Sequence, residues 1–154
     1  MAVSGKIEKF EGLVAWQKAR ELTRNIYTVT NQRGFKKHFS LRNQIRGASV
    51  SIMSNIAEGF EPFGRSEFHQ FLVIAKGSCA ELRSQRYVSL DVGHIDLATF
   101  KTLDALAMET SRVIGGLRAA VYKQKMKIKW VCGHFHIYIN SSLSHLSPQS
   151  FLST

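Results

Sequence analysis

The sequence predicts an all-α protein, and three observations support this fold class. Four segments carry apolar residues at helical spacing, and each is bounded by residues that start or end helices. Only two prolines occur in 154 residues, Pro62 and Pro148, so long uninterrupted helices are permitted. The hydrophobic fraction of 44% and the charged fraction of 21% are ordinary for a globular domain.

The first two predicted helices flank a short basic connection. The first helix runs from about Phe10 to Thr30. Its apolar positions follow a 4-3-4-3 spacing: Ala15, Ala19, Leu22, Ile26 and Val29. Gly34 is predicted to stop it in the left-handed conformation. Ser40 is a suitable N-cap for the second helix, which continues to about Phe60.

The second predicted helix is apolar on two sides. One strip consists of Leu41, Ile45, Ala48, Ile52 and Ile56. The other strip consists of Val50, Met53, Ala57 and Phe60. A helix that is apolar on two sides is usually covered on both. In a small bundle another subunit can provide the second cover, so the second strip is our predicted subunit interface.

Two further helices are predicted after a break in the chain. Pro62 and Gly64 oppose helix continuation, and Ser66 is placed to cap the third helix. Gly93 ends that helix, and Asp96 caps the fourth. The apolar face of the third helix consists of Phe68, Phe71, Leu72, Ala75, Cys79 and Leu82. That of the fourth consists of Phe100, Leu103, Leu106, Ala107, Thr110, Val113, Ile114, Leu117 and Val121.

The C-terminal residues differ in character from the four helical segments. The segment KIKWVCGHFHIYIN, residues 127–140, reads as β-prone, and the serine-rich residues 141–154 show no pattern. We therefore predict a four-helix unit over residues 1–124 and an irregular or poorly ordered extension over residues 125–154. Within the fourth helix, Gly115 and Gly116 indicate either a close helix–helix contact or a local weakness.

No pattern in the chain indicates catalysis, a cofactor or a metal centre. Cys132, His134 and His136 offer zinc-type ligands, but only three lie together, so incidental histidines are the better interpretation. Glu58 and Glu61 form a carboxylate pair that we interpret as structural or interfacial. A phosphate-binding loop and a nucleophile elbow are both missing from the sequence. The sequence therefore favours a non-enzymatic protein.

Charge is the compositional outlier, because the chain carries a formal net charge of +10. A basic surface attracts polyanions, with nucleic acid or an acidic protein as the usual partners. The candidate phosphate-binding residues lie on the first two helices and their connection: Arg20, Arg24, Lys36, Lys37, Arg42 and Arg46. A solvated helix face is the alternative interpretation. Since no recognition helix is evident, binding should involve backbone phosphates rather than base edges.

Several short motifs together resemble a known bacterial family. They are Leu13-x-x-Trp16-Gln17-x-Ala19, Ile26-Tyr27, Gln44-Ile45-Arg46-x-Ala48, Ser54-Asn55-Ile56-Ala57-Glu58-Gly59, Glu67-Phe68-x-x-Phe71-Leu72 and Gly77-Ser78-x-x-Glu81-Leu82. They resemble the four-helix-bundle proteins encoded in intervening sequences of 23S ribosomal RNA genes, over about Phe10–Val121. The resemblance implies an antiparallel up-down four-helix bundle that assembles as a ring-like homopentamer.

The resemblance also implies a partner class. A relative, the accessory variability protein of diversity-generating retroelements, binds nucleic acid and a reverse transcriptase through a basic pentamer. The resemblance supplies no catalytic residue to carry over. This chain departs from the family pattern at Met53, where proline is frequent, and at Arg86, where leucine is usual. Arg86 falls on an apolar helix face, so its guanidinium must pair, extend to solvent or reach a subunit interface.

The sequence thus predicts a non-enzymatic, homo-oligomeric four-helix bundle that binds RNA or DNA through phosphates, with a pentamer implied by the resemblance. The alternative is an interaction scaffold for an acidic or reverse-transcriptase-like protein. A cytoplasmic location is expected, because no segment resembles a secretory signal or a membrane span and the two cysteines form no disulfide framework.

Overall fold

The computed structural model describes residues 7–35, 37–61 and 65–143, excluding the side chains of residues 65–66 and 125–143. Its helices are α1 Val14–Thr30, α2 Phe39–Phe60, α3 Arg65–Asp91 and α4 Leu97–Leu143. Two short 3-10 turns, Phe10–Gly12 and Arg33–Phe35, precede α1 and α2. Each helix packs on the next, and α1 also packs on α4, which closes a four-helix bundle. These ranges contain no strand, and the all-α prediction is confirmed.

The bundle core consists of the predicted apolar faces. The 4-3-4-3 positions of α1 are buried except Val29, which packs at the core's edge. The buried core residues of the other three helices are Ile45, Ala48, Ile52, Ile56, Leu72, Ala75, Cys79, Leu82, Leu103, Ala107, Ile114 and Val121. Burial raises the pKa of the Cys79 thiol to about 11, so this cysteine stays protonated and unreactive.

The turn between α3 and α4 confirms both of its predicted end signals. Gly93 has a φ of 73°, the left-handed value that glycine adopts readily. Its N–H donates to Leu90 O at 3.0 Å, and the His94 N–H donates to Ser89 O at 2.8 Å. This pair of bonds defines a Schellman motif. Asp96 accepts a 2.7 Å hydrogen bond from the Thr99 N–H and caps α4.

The turn between α1 and α2 corrects two predictions. Gly34 does not stop α1 in the left-handed conformation, because α1 ends at Thr30 and Gly93 is the positive-φ glycine of the described chain. Glycine is needed at position 34 for space, since a Cβ there would lie 2.8 Å from His94 O. Ser40 is not the N-cap of α2. That helix begins at Phe39, and the cap residue His38 makes no side-chain capping bond.

The ends of α2 and α3 fit the predicted break. Helix α2 ends at Phe60 and α3 begins at Arg65, on either side of the predicted helix breakers. Residues 62–64 lie outside the described residues, as does the Ser66 side chain, so the predicted Ser66 cap stays a prediction.

Helix α4 extends much further than predicted, to Leu143. The β-prone prediction for residues 127–140 is therefore wrong. A strand needs a partner to satisfy its backbone, and the described chain offers no strand, whereas a helix satisfies its hydrogen bonds within the segment. Side chains of the predicted zinc-type ligands in this stretch, and residues 144–154, lie outside the described part. The domain boundary after residue 124 stays a prediction.

Arg86 is fully buried between α3 and α4, and it pairs. Its Nη1 lies 2.6 Å from Asp104 Oδ1, and its guanidinium lies 4.3 Å from the Phe100 ring centre. The guanidinium nitrogens meet no acceptor at hydrogen-bonding angles. Arg86 and Asp104 nevertheless form an ion pair, because Coulomb attraction depends chiefly on the distance between the charges. The stabilisation of Arg86 is therefore electrostatic, from one carboxylate and the face of an aromatic ring.

The close-contact interpretation of Gly115 and Gly116 is wrong. A Cβ at Gly115 would meet only the flexible tip of Lys76, at 3.4 Å. A Cβ at Gly116 would meet no atom within 4 Å. This leaves local weakness of the helix as the interpretation, since glycine lowers helix stability by about 1 kcal/mol relative to alanine.

Candidate nucleic-acid interface

Arg46 joins α2 to the C-terminal end of α1. Its Nε donates to Thr30 Oγ1 at 2.7 Å, and its Nη2 donates to Asn31 Oδ1 at 2.8 Å. The guanidinium also lies over the Tyr27 ring, 4.7 Å from its centre. A cation at this end of α1 is favourable, because the unpaired carbonyls there carry partial negative charge. Arg46 therefore stabilises the α1–α2 contact, and this role uses much of its hydrogen-bonding capacity.

Arg42 lies one helical turn before Arg46 on α2 and is half-buried. Its guanidinium lies over the Phe39 ring at 4.7 Å, while its Nε is buried with no hydrogen-bond partner. The stacking fixes one face of the guanidinium. Because one guanidinium face and Nε are covered, less of the Arg42 side chain is available to a phosphate than the sequence predicted.

Three other predicted residues are exposed. Arg20 and Arg24 lie one turn apart on the outward face of α1, and Lys37 lies in the turn before α2. The Arg20 guanidinium lies 5.7 Å from the Trp16 ring centre, a contact that leaves its N–H edges open. Lys36 lies outside the described residues. The structure therefore separates the predicted set into anchored arginines on α2 and free cations on α1 and the turn.

A second group of cations was missed by the sequence analysis. Lys101, Arg112 and Lys123 recur every 11 residues on α4 and are all exposed. Eleven residues make close to three full turns of an α-helix, so the three side chains leave the same side. That spacing was the signal that could have found them. The basic surface below means these three residues together with Arg20 and Arg24.

An ion-pair network lies between the two helices of the basic surface. Lys18 on α1 contacts Glu21 and also reaches Glu109 on α4, each at 3.2 Å. Hydrogen bonds to these two carboxylates raise the pKa of Lys18. With one lysine and two glutamates, this network leaves no free positive charge in the groove between α1 and α4. The free positive charge therefore lies on the outward helix faces, since no residue of the basic surface is in an ion pair within the described chain.

The predicted subunit-interface strip on α2 is mostly used inside the monomer. Met53 and Phe60 pack against the core, and the Phe60 ring meets Phe68 edge-on at 6.1 Å. Ala57 is half-buried, and only Val50 is mainly exposed, at 41%. Whether the strip contacts another subunit stays a prediction.

The two carboxylates that the sequence paired lie together at an open cavity. Glu58 and Glu61 line an open cavity of about 550 Å³ together with Glu67 and Phe71. Among the described residues, no group of three or more histidine, cysteine or acidic side chains can hold a metal ion. The described helices also include none that is long and apolar enough to cross a membrane.

The fold defines a class of protein, the four-helix bundle. The family model of the 23S rRNA-intervening sequence protein matches residues 11–116, and the chain belongs to this family.

A solved structure shows the same fold. It is a protein of unknown function from the S23 ribosomal protein family of Bacteroides thetaiotaomicron, 20% identical to this chain, with a TM-score of 0.62. The alignment covers 68% of this chain and 98% of that one. No curated protein matches the chain.

Proposed function

We propose that this chain is a non-enzymatic, homo-oligomeric protein that binds RNA or DNA through backbone phosphates. One observation supports this above the others: five exposed cations that make no ion pair within the described chain lie on two adjacent helices, in a chain with net charge +10. Lysine and arginine in such an arrangement replace the counterions that surround a nucleic acid. Arg46 has a structural role at the α1–α2 contact, whereas the five cations of the basic surface form no ion pair within the described chain.

The spacing along α4 suits an extended polyanion. Lys101 and Lys123 are 22 residues apart in sequence, which corresponds to about 33 Å along a helix. One turn of a nucleic-acid duplex has a similar length, about 34 Å. A straight row of cations can therefore follow a backbone. It carries no planar group aimed at a base edge, so binding should depend weakly on sequence.

Assembly would multiply these contacts. The resemblance implies a ring of five chains, and a ring repeats each weak phosphate contact around one axis. Linked sites raise the effective concentration of ligand for one another, so affinity increases without any new type of contact. An acidic or reverse-transcriptase-like protein could use the same cations, and that partner is the competing proposal.

The test is a salt titration of binding to a short duplex DNA and a short RNA, measured by fluorescence anisotropy. The variant Arg112→Ala/Lys123→Ala should reduce the slope of log affinity against log salt by about 1.8 per chain on DNA, since each phosphate contact contributes about 0.9. Lys76→Ala/Arg83→Ala removes the same charge from α3, outside the basic surface, and should leave the slope nearly unchanged.

Two results would overturn the proposal. One is the absence of binding to either nucleic acid at low salt. The other is an equal slope change in both double variants, which would indicate net charge alone rather than a surface. If a single protein is captured after nuclease treatment, and capture is lost in Arg112→Ala/Lys123→Ala, the scaffold proposal replaces it.

A further inference from the structure

Two exposed aromatic rings lie where α1 ends and α2 begins. Tyr27 on α1 is 40% exposed, and Phe39, the first residue of α2, is 59% exposed. Each ring has an arginine of α2 over one face, with the guanidinium carbon 4.7 Å from the ring centre in both cases: Arg46 over Tyr27 and Arg42 over Phe39. Because a guanidinium covers one face, the exposed area belongs to the other face and the edge of each ring.

The two rings are neighbours on the surface of the bundle. Arg42 and Arg46 lie one helical turn apart on the same side of α2, and Phe39 precedes Arg42 by three residues. The Phe39 ring, the two arginines and the Tyr27 ring therefore follow one another across this end of the bundle. The aromatic pair below means Tyr27 and Phe39.

The two arginines hold the aromatic pair in place. Arg46 is fixed by its hydrogen bonds to Thr30 and Asn31, so the Tyr27 ring packs on a guanidinium that is itself anchored. The Nε of Arg42 is buried, which restricts the guanidinium that packs on Phe39. A ring that is already oriented loses little freedom when a second planar group stacks on it. Arg42 and Arg46 thus act as positioning residues for two open aromatic faces.

The chain around the aromatic pair is basic. Residues 22–57 contain six arginines and lysines and no acidic residue. Arg24 lies three residues before Tyr27 on α1, and Lys37 lies two residues before Phe39. Both cations are exposed, and neither makes an ion pair within the described chain. Each open ring therefore has a cation beside it that is available to a phosphate.

An aromatic face next to a cation suits an unpaired nucleotide. The ring stacks on the base, and the cation contacts the phosphate. In a duplex the bases stack on one another and present only their edges in the grooves, so their faces cannot reach a protein ring. In a single strand the faces are accessible, and every base has one, so stacking tolerates any sequence. The arrangement therefore favours a strand with unpaired bases over a duplex.

We propose that the aromatic pair binds single-stranded nucleic acid, with one base stacked on Tyr27 and another on Phe39, and with phosphates at Arg24 and Lys37. This inference rests on the proposed function and specifies its ligand. The basic surface attracts any polyanion, whereas the aromatic pair distinguishes a strand with unpaired bases from a duplex. RNA and DNA strands share the chemistry that is recognised, since both have base faces and phosphates.

The experiment measures binding of the full chain to three short ligands of equal length by fluorescence anisotropy: an oligo(uridine) RNA, an oligo(thymidine) DNA and a duplex DNA. Tyr27→Ala and Phe39→Ala should each lower the affinity for both single strands by at least about fivefold, the loss expected for one stacked base. Affinity for the duplex should stay nearly unchanged. The slope of log affinity against log salt should also stay unchanged, because neither substitution removes a charge.

Tyr87→Ala is the matched control. Tyr87 is 52% exposed on α3, and the guanidinium carbon of Arg86 lies 5.4 Å from its ring centre, but it is outside the basic surface. This variant should bind the single strands like wild type, and so should Tyr27→Phe, which keeps an aromatic face. A strand of abasic nucleotides has the phosphates without the bases. It should therefore bind equally well to wild type and to Tyr27→Ala/Phe39→Ala.

Circular dichroism establishes that each variant is folded, and the duplex provides a second check. Unchanged single-strand affinity in folded Tyr27→Ala and Phe39→Ala would overturn the inference. An equal loss for the single strands and the duplex would overturn it as well, because it would indicate a general effect on the basic surface. Both results leave salt-dependent duplex binding by wild type, and with it the proposed function, intact. A wild-type chain that binds none of the three ligands at low salt would overturn the proposed function itself.

Discussion

The outer surfaces of the bundle differ by the helices that form them. The exposed charged side chains described on α1 and α4 are all basic, whereas those on α2 and α3 are four acids and one lysine: Glu58, Glu67, Glu81, Asp91 and Lys76. The inner faces are alike, because every helix buries small and aliphatic residues. The core thus explains the fold but not this division. The basic side, formed by α1 and α4, is the one that the proposed polyanion would contact.

The largest effect is expected where the two sides of the bundle meet, at the contact of α3 with α4. Asp104→Ala would leave the buried Arg86 without its carboxylate. We expect a loss of about 2–3 kcal/mol in the free energy of unfolding, below the usual value for a fully buried pair because the Asp104 side chain is 39% exposed. Urea unfolding monitored by circular dichroism measures it.

The control for this prediction is the double variant Arg86→Leu/Asp104→Ala. Removing both partners replaces a buried charge by an apolar side chain, so stability should recover most of the loss. An Asp104→Ala protein as stable as wild type would show that Phe100 and the remaining surroundings suffice for the Arg86 charge.

The next effect concerns the anchored arginine beside the basic surface. Arg46→Ala removes two side-chain hydrogen bonds at the end of α1, and we expect a loss of about 1–3 kcal/mol of stability. Arg24 is exposed on α1, so Arg24→Ala should change the free energy of unfolding by less than about 0.5 kcal/mol. Thermal unfolding of both variants distinguishes an anchor from a free cation. Equal losses would contradict the assignment of Arg46.

A pair of glycine substitutions compares the two outer surfaces directly. Gly116→Ala on α4 should raise the stability of the chain by about 1 kcal/mol without changing its mass, because alanine favours the helix and nothing crowds the site. Gly77→Ala on α3 should raise the stability similarly, because a Cβ there would also meet no atom within 4 Å. Unfolding and light scattering of both variants provide the measurements. A loss of stability in either variant would contradict this expectation.

The smallest effect is a pH dependence at the turns. Burial, and secondarily the nearby His38, lower the pKa of His94 below its ordinary value of 6.5. The folded protein therefore favours neutral His94, so its contribution is complete above pH 6.5 and decreases as the pH falls below that value. Thermal unfolding should show this decrease as the pH falls below about 6.5. His94→Gln should flatten that part of the profile, and an unchanged profile would contradict the assignment.

The predictable parts of the molecule were local. The apolar spacing of α1, the Gly93 turn and the Asp96 cap each depend on residues within a few positions of one another, and all three are confirmed. The incorrect predictions concern longer distances. Gly34 is constrained by the backbone of His94, far along the chain. The segment 127–140 has strand-like composition, but strand formation depends on a partner that composition does not supply.

Some features of the candidate site could likewise be predicted from local sequence, and others depend on tertiary contacts. The exposed cations of α1 could be identified from sequence, and the row on α4 could have been found from its 11-residue spacing. The anchoring of Arg46 could not, because Thr30 and Asn31 lie across a turn whose geometry the sequence does not specify. The outward strip of α2 stays a predicted interface, although its partly buried Met53 and Phe60 also pack against the monomer's core.

By itself, the sequence determined the number of helices, the residues they bury and the excess of positive charge, because periodicity and composition act through near neighbours. Tertiary structure alone decided which charges are free. It paired Arg86 and Arg46 within the bundle and left the basic surface exposed on α1 and α4. Those outcomes depend on which helices pack together, and packing joins residues that are distant in sequence.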